Sequence, residues 1–124
     1  MTFMQAIARM EGFYVQGSRA QRCNNPGDLD LEPWLEAPPY CAVLETIPHG
    51  YHERPRFACF PTVDQGWSAM RTLLTRKYLG MNVAAAITDW APPSDGNDTA
   101  QYISEVCEMT GMSPETIITT ELIG

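Results

Sequence analysis

Four stretches of this chain carry apolar residues at three- and four-residue spacing, each opened by a capping side chain and closed by glycine or proline. That combination specifies amphipathic helices and little else. In the first, Thr2 and Gln5 have the spacing of a capping box, Phe3, Ile7 and Met10 form the apolar stripe, and Gly12 closes it. The second opens at Thr62 with Gln65 three residues on, buries Val63, Trp67, Met70, Leu73 and Leu74, and ends in basic Arg76 and Lys77 before Gly80. A third runs from Asn82 to about Trp90, where Pro92 and Pro93 stop it. The fourth starts near Asp98 with Gln101 at the box position, buries Tyr102, Ile103, Val106 and Met109, and ends at Gly111. Ser113-Pro114 predicts a last short helix containing Ile117 and Ile118.

Between the first two stripes the texture changes. Cys41 to Glu45 alternates, Phe57 to Phe60 is a short aromatic run, and Pro48 to Pro55 connects them, which predicts a small β-hairpin. The expected architecture is α+β, mostly helical, with a small sheet between the first and second long helices. At 124 residues the chain suits a single domain, 1–124, able to bury its own core.

Charge narrows the partners. With 15 acidic and 8 basic side chains the net charge is −7, which repels phosphate backbones and argues against a nucleic-acid partner. The same sign works against electrostatic binding to an anionic cell wall, although a cleft can differ from the whole. No stretch has the roughly 18–20 apolar residues that a membrane span requires. Met1 to Gly12 lacks the apolar centre of a signal peptide, so export by another route, or numbering from a trimmed start, is expected of an exported protein. Cys23, Cys41, Cys59 and Cys107 are an even set, compatible with two disulfides or with four reduced thiols.

Two segments carry chemistry. Glu11 ends the first helix, where the negative end of the dipole and the neighbouring Phe13 and Tyr14 favour a protonated carboxyl. Such a group can protonate the leaving oxygen of a glycosidic bond. Downstream, Arg22-Cys23-Asn24-Asn25-Pro26-Gly27-Asp28-Leu29 forms a tight turn whose amides can hydrogen-bond sugar hydroxyls and acetamides. The indoles of Trp67 and Trp90 fall on apolar stripes and suit the core, whereas Trp34, between Leu31 and Pro39, is the better candidate for a cleft.

Glu11-Gly12-Phe13, the run Asn24 to Leu29, Phe57 to Phe60, Gly66-Trp67 with Ala69, Trp90-Ala91-Pro92-Pro93, Asn97-Asp98-Thr99 and Tyr102 occur in that order. The pattern resembles the small phage and bacterial muramidases of the lysozyme-like superfamily, relatives of lytic transglycosylases and goose-type lysozymes. The resemblance covers Glu11 to Tyr102 and implies a lysozyme-like fold. It also implies cleavage of the β-1,4 bond between N-acetylmuramic acid and N-acetylglucosamine, with Glu11 as general acid/base and no cofactor. Asn97 would lie beside the sugar and Tyr102 over the cleft; Ser18, Asn24, Asn25 and Asp28 complete the candidate sugar-binding set. Three departures stand out. Asp28 occupies a place where the family commonly has asparagine, and Gly12 one where transglycosylases often have serine. Ala20 and Pro26 hold the positions of the aspartate and threonine of phage lysozymes. A single carboxylate suits a transglycosylase, or a hydrolase that positions water with polar side chains.

The partner implied is the peptidoglycan glycan strand, met by a monomer in the periplasm or the extracellular wall. A phage lysin, a housekeeping wall enzyme and an antibacterial toxin with an immunity or inhibitor protein all fit. Rival readings are a non-catalytic wall-binding or virion structural domain, a zinc site of Cys41, His49, His52 and Cys59, and a cysteine nucleophile with His49 as base. The proposed strands bring Cys41 beside Cys59, which predicts that disulfide and leaves Cys23 for Cys107.

Overall fold

The computed structural model describes residues 1–47 and 53–124. Helices dominate and one two-stranded sheet accompanies them, an α+β arrangement. In chain order the elements are α1 (Phe3–Met10), α2 (Arg19–Arg22), α3 (Pro33–Glu36), β1 (Val43–Leu44), β2 (Ala58–Cys59), α4 (Val63–Tyr78), α5 (Val83–Trp90), α6 (Thr99–Thr110) and α7 (Thr120–Ile123). Two compact units result, one of residues 1–10 and 71–124, the other of residues 11–70.

The first unit is helical. Thr2 and Gln5 cap α1 reciprocally, the Gln5 amide donating to Thr2 Oγ1 at 3.1 Å and the Thr2 amide to Gln5 Oε1 at 3.0 Å. Phe3 and Ile7 are fully buried, and α1 packs on α6 and α7. Asn82 caps α5 and Asp98 caps α6, each through a side-chain oxygen that accepts from the residue three positions on. The chain leaves α6 through left-handed Gly111. Leu74, Val83, Ile87, Val106, Ile118 and Ile123 fill the core, each contributing about 1.5–3 kcal/mol by leaving water. The Tyr78 hydroxyl donates to Asp89 at 2.8 Å, and that bond, aided by Lys77, holds the Asp89 carboxyl below its ordinary range.

The helix expected after Ser113-Pro114 does not form there. Ile117 instead makes an isolated bridge with Asn82, and the terminal helix starts at Thr120, capped by Thr119. The reason lies in partners: the amides of Val83 and Gly80 donate to the carbonyls of Thr116 and Ile118, so this backbone is already used as an extended strap.

The second unit is built around β2. On one side β1 pairs with it antiparallel, the hairpin that the sequence predicts, in a register that sets Val43 opposite Cys59 and Leu44 opposite Ala58. On the other side lies a segment the sequence did not mark as extended. Asp30 bridges Phe57, the Ala58 amide donates to the Leu29 carbonyl, and the Leu31 amide donates to the Arg56 carbonyl, both within 2.9 Å. Two one-turn helices precede the sheet: α2 is capped by Ser18, and α3 has Pro33 at its start and buried Leu35 beneath it. Four residues are too few for a hydrophobic period to show, so neither is visible in the sequence pattern.

Candidate functional site

Glu11 directly follows α1, which ends at Met10, one residue before the end that the sequence pattern places at Glu11, and it is partly buried. Gly12 then turns the chain with φ +85°, a conformation that favours glycine. Its carbonyl is the hub of the turn, accepting from the Val15 amide at 3.0 Å and from the Ser18 hydroxyl at 2.7 Å. Ser18 in turn accepts from the Gln21 amide and so caps α2. Phe13 meets Tyr14 and Trp67 edge-on, with centroid separations of 5.3 and 5.2 Å. Glu11 therefore begins a turn fixed by hydrogen bonds on one side and aromatic packing on the other.

The asparagine turn is occupied with holding itself. Asn25 has no solvent exposure. Its amide nitrogen donates to the carbonyls of Leu29 and Ala58 at 3.0 and 2.8 Å, and its side-chain oxygen accepts from the Leu29 amide at 2.9 Å. A sugar-binding role for Asn25 is thereby corrected: the side chain joins the turn to β2 and has no surface to offer. Asn24, with φ +51°, donates from its side chain to the Phe60 carbonyl at 3.0 Å. Helix α4 meets the same turn through Gly66, where a Cβ would overlap the Asn24 carbonyl oxygen and crowd Pro26.

Asp28 forms a two-pronged ion pair with Arg19, Nε to Oδ1 at 3.1 Å and an Nη to Oδ2 at 2.7 Å. A carboxylate suits that fork better than an amide would. The bond raises the affinity of Arg19 for its proton, and the guanidinium carbon lies 3.4 Å from the Phe57 ring centroid. Sequence reasoning missed Arg19 because its partner is nine residues away across a turn, outside any helical spacing.

Glu11, Ser18, Asn24, Asn25 and Asp28 thus share one unit, while Asn97 and Tyr102 belong to the other. Asn97 is exposed and donates to the Pro92 carbonyl at 3.2 Å, and buried Thr99 donates to the Ala91 carbonyl at 2.6 Å. Tyr102 is only 5% exposed on the inner face of α6, alongside Thr99 and Val106. Its ring is buried on that face. Trp34 is partly buried, donating to Glu32 at 2.8 Å and packing edge-on against Tyr40.

The disulfide joins Cys23 to Cys59; Cys41 and Cys107 are free thiols. The expected pairs, Cys41 with Cys59 and Cys23 with Cys107, are both replaced. Register explains it. Val43 faces Cys59 across the sheet, so Cys41 lies beyond the end of the pairing, whereas the Phe60 amide donates to the Cys23 carbonyl at 2.9 Å and brings Cys23 alongside β2. With Cys59 committed, the zinc quartet loses a ligand; His49 and His52 lie outside the described residues. No group of three metal-binding side chains occurs among the described residues, and no helix there is long and apolar enough to cross a membrane. No family model matches the chain, nor does any curated protein or any solved structure.

Proposed function

We propose that the chain is a lysozyme-like glycosidase that cleaves peptidoglycan glycan strands between N-acetylmuramic acid and N-acetylglucosamine, with Glu11 as the general acid/base. The observation that carries the reading is the setting of Glu11, partly buried at the head of a turn that the Gly12 carbonyl and the Ser18 hydroxyl hold rigid, with Phe13 against Trp67 beside it. In the proposed reaction the Glu11 carboxyl gives its proton to the glycosidic oxygen as the bond from C1 breaks. The resulting carboxylate then takes a proton from the attacking hydroxyl, either water or the 6-hydroxyl of the same sugar. The Cys23–Cys59 disulfide suits action in an oxidising setting such as the periplasm or the extracellular wall.

Glu11→Gln keeps the shape and removes the proton donor. Cleavage of purified peptidoglycan in a zymogram is expected to fall by about 10²–10⁴-fold, with the thermal midpoint unchanged or slightly higher because a charge leaves a helix C-terminus. A variant that clears peptidoglycan at the wild-type rate would remove the assignment. The mass of the released disaccharide separates the two chemistries, since the 1,6-anhydro product is lighter by one water. A non-catalytic wall-binding domain is the second reading. Strand binding without product release by the wild-type protein would favour it.

A further inference from the structure

Phe13 and Tyr14 occupy the two central places of the turn that the Val15 amide closes on the Gly12 carbonyl at 3.0 Å, immediately after Glu11. The loop is pinned at its far end as well. The Ser18 amide donates to the Val15 carbonyl at 3.1 Å, the Gly17 amide to Gln21 Oε1 at 2.8 Å, and Arg22 Nε to the Gly17 carbonyl at 3.0 Å. Three rings run outward from α4: Trp67 meets Phe13 edge-on, and Phe13 meets Tyr14 the same way. All three belong to the 11–70 unit that holds Glu11. Exposure rises steeply along them. Phe13 and Trp67 are partly buried, whereas Tyr14 is 49% exposed and Val15 beside it 62%. An edge-on contact uses the edge of one ring and one face of the other, so Tyr14 keeps at least one face outside it. A large ring already held in place loses little further freedom when a ligand settles on it.

We infer that Tyr14 is a sugar-stacking residue, its ring supporting one N-acetylated pyranose of the glycan strand next to the bond that Glu11 cleaves. The inference rests on the peptidoglycan reading above and adds a binding residue from the same turn as Glu11. The C–H groups on one face of a pyranose are slightly positive and meet the negative face of an aromatic ring, while the sugar hydroxyls stay in water. Charge selects among ligands. Gly12 to Ser18 contains no carboxylate and no cationic side chain, so a protein of net charge −7 meets an anionic wall there without a local repulsive group. The same neutrality disfavours two other uses of an exposed ring. Stacking on nucleic-acid bases relies on a basic groove around the aromatic, and insertion into a lipid surface relies on lysine and arginine beside it. The next two cations along the chain, Arg19 and Arg22, are engaged with Asp28 and the Gly17 carbonyl.

The test uses the full chain with two substrates, intact peptidoglycan and the same strands stripped of their peptide stems by an amidase. Tyr14→Ala is expected to raise KM about tenfold, the worth of one stacked ring, and equally on both substrates, because the ring meets the sugar. The kcat should stay within about twofold of wild type, the pattern of lost ground-state binding. Tyr14→Leu keeps apolar bulk without a ring and should show the same deficit, whereas Tyr14→Trp should recover most of the affinity. Val15→Ser should match wild type. Cosedimentation with insoluble strands in a Glu11→Gln background should show the same tenfold weakening for Tyr14→Ala without any cleavage. A wild-type KM in both Tyr14→Ala and Tyr14→Leu, a loss confined to kcat, or a deficit on intact strands alone overturns the stacking role and leaves the glycosidase reading intact. So does an equal deficit in Val15→Ser and Tyr14→Ala accompanied by binding to vesicles of phosphatidylcholine and phosphatidylglycerol, which assigns the loop to a lipid surface. Strand binding that depends on Tyr14 in a protein that cleaves neither substrate overturns the glycosidase reading and keeps the stacking residue. Wild-type protein that neither binds nor cleaves either substrate overturns both.

Discussion

Asn25 accepts from one backbone amide and donates to two backbone carbonyls, with no exposure to solvent. Replacing it with alanine orphans the Leu29 amide and the Ala58 carbonyl, while the Leu29 carbonyl keeps the Ala58 amide, and an unpaired buried polar group costs about 1–3 kcal/mol. Asn25→Ala is therefore expected to lower the denaturant midpoint sharply while leaving the KM of the folded fraction unchanged, since the side chain cannot reach substrate. Asn25→Asp is a sharper probe. It places a carboxylate against the carbonyl oxygens of Leu29 and Ala58, so the folded state favours its protonated form and its folded pKa rises above the unfolded value. The variant's deficit should be small below about pH 4, the ordinary aspartate value, and should grow as pH rises through the folded pKa. Urea titrations at pH 4 and pH 7 that give equal deficits would show that the Asn25 amide is not held as described. The sequence marks Asn24-Asn25-Pro26-Gly27 as a turn, and the turn is there. What the sequence does not carry is the direction of the amides, inward to the backbone or outward to a ligand, because that depends on which segment lies beside them.

At the scale of elements, the capped helices were legible and the short ones were not. Thr2, Thr62, Asn82 and Asp98 open helices where their side chains promised to, because capping is decided within one turn of the chain. Helix α4 contains a glycine that has no local excuse. Gly66 lies near the start of the helix, where alanine would raise helix propensity by about 1 kcal/mol. Its reason is the neighbouring turn: a Cβ there would collide with the Asn24 carbonyl oxygen, which is backbone and cannot rotate away. Gly66→Ala is expected to destabilise by about 1–3 kcal/mol, as overpacking does, read as a fall in thermal midpoint. A rise in that midpoint would mean that α4 and the Asn24 turn do not touch. Gly66-Trp67 belongs to the motif set legible in the sequence, and the structure supplies the reason for its first residue.

At the scale of the whole molecule, the covalent tie between Cys23 and Cys59 closes a loop of 36 residues in the 11–70 unit. Loop entropy alone assigns such a closure about 3–4 kcal/mol. Cys59→Ser, or reduction, should lower stability by about that amount, with Cys23→Ser giving the same value and the double variant no more. Non-reduced protein under denaturing conditions should titrate as two free thiols, Cys41 and Cys107; four would exclude the bond. Readable from the chain alone is what is settled within a few residues: the starts of the four capped helices, the apolar stripes, the turn at Gly12 and the presence of a hairpin. Tertiary structure alone decided the partners across long separations. It brought Cys23 to Cys59, Arg19 to Asp28, Asn25 to Ala58 and Gly66 to Asn24. Such pairings depend on sheet register and on which turn reaches which strand, and a spacing rule has no access to either, because the energy that selects them exists only when distant segments are already side by side.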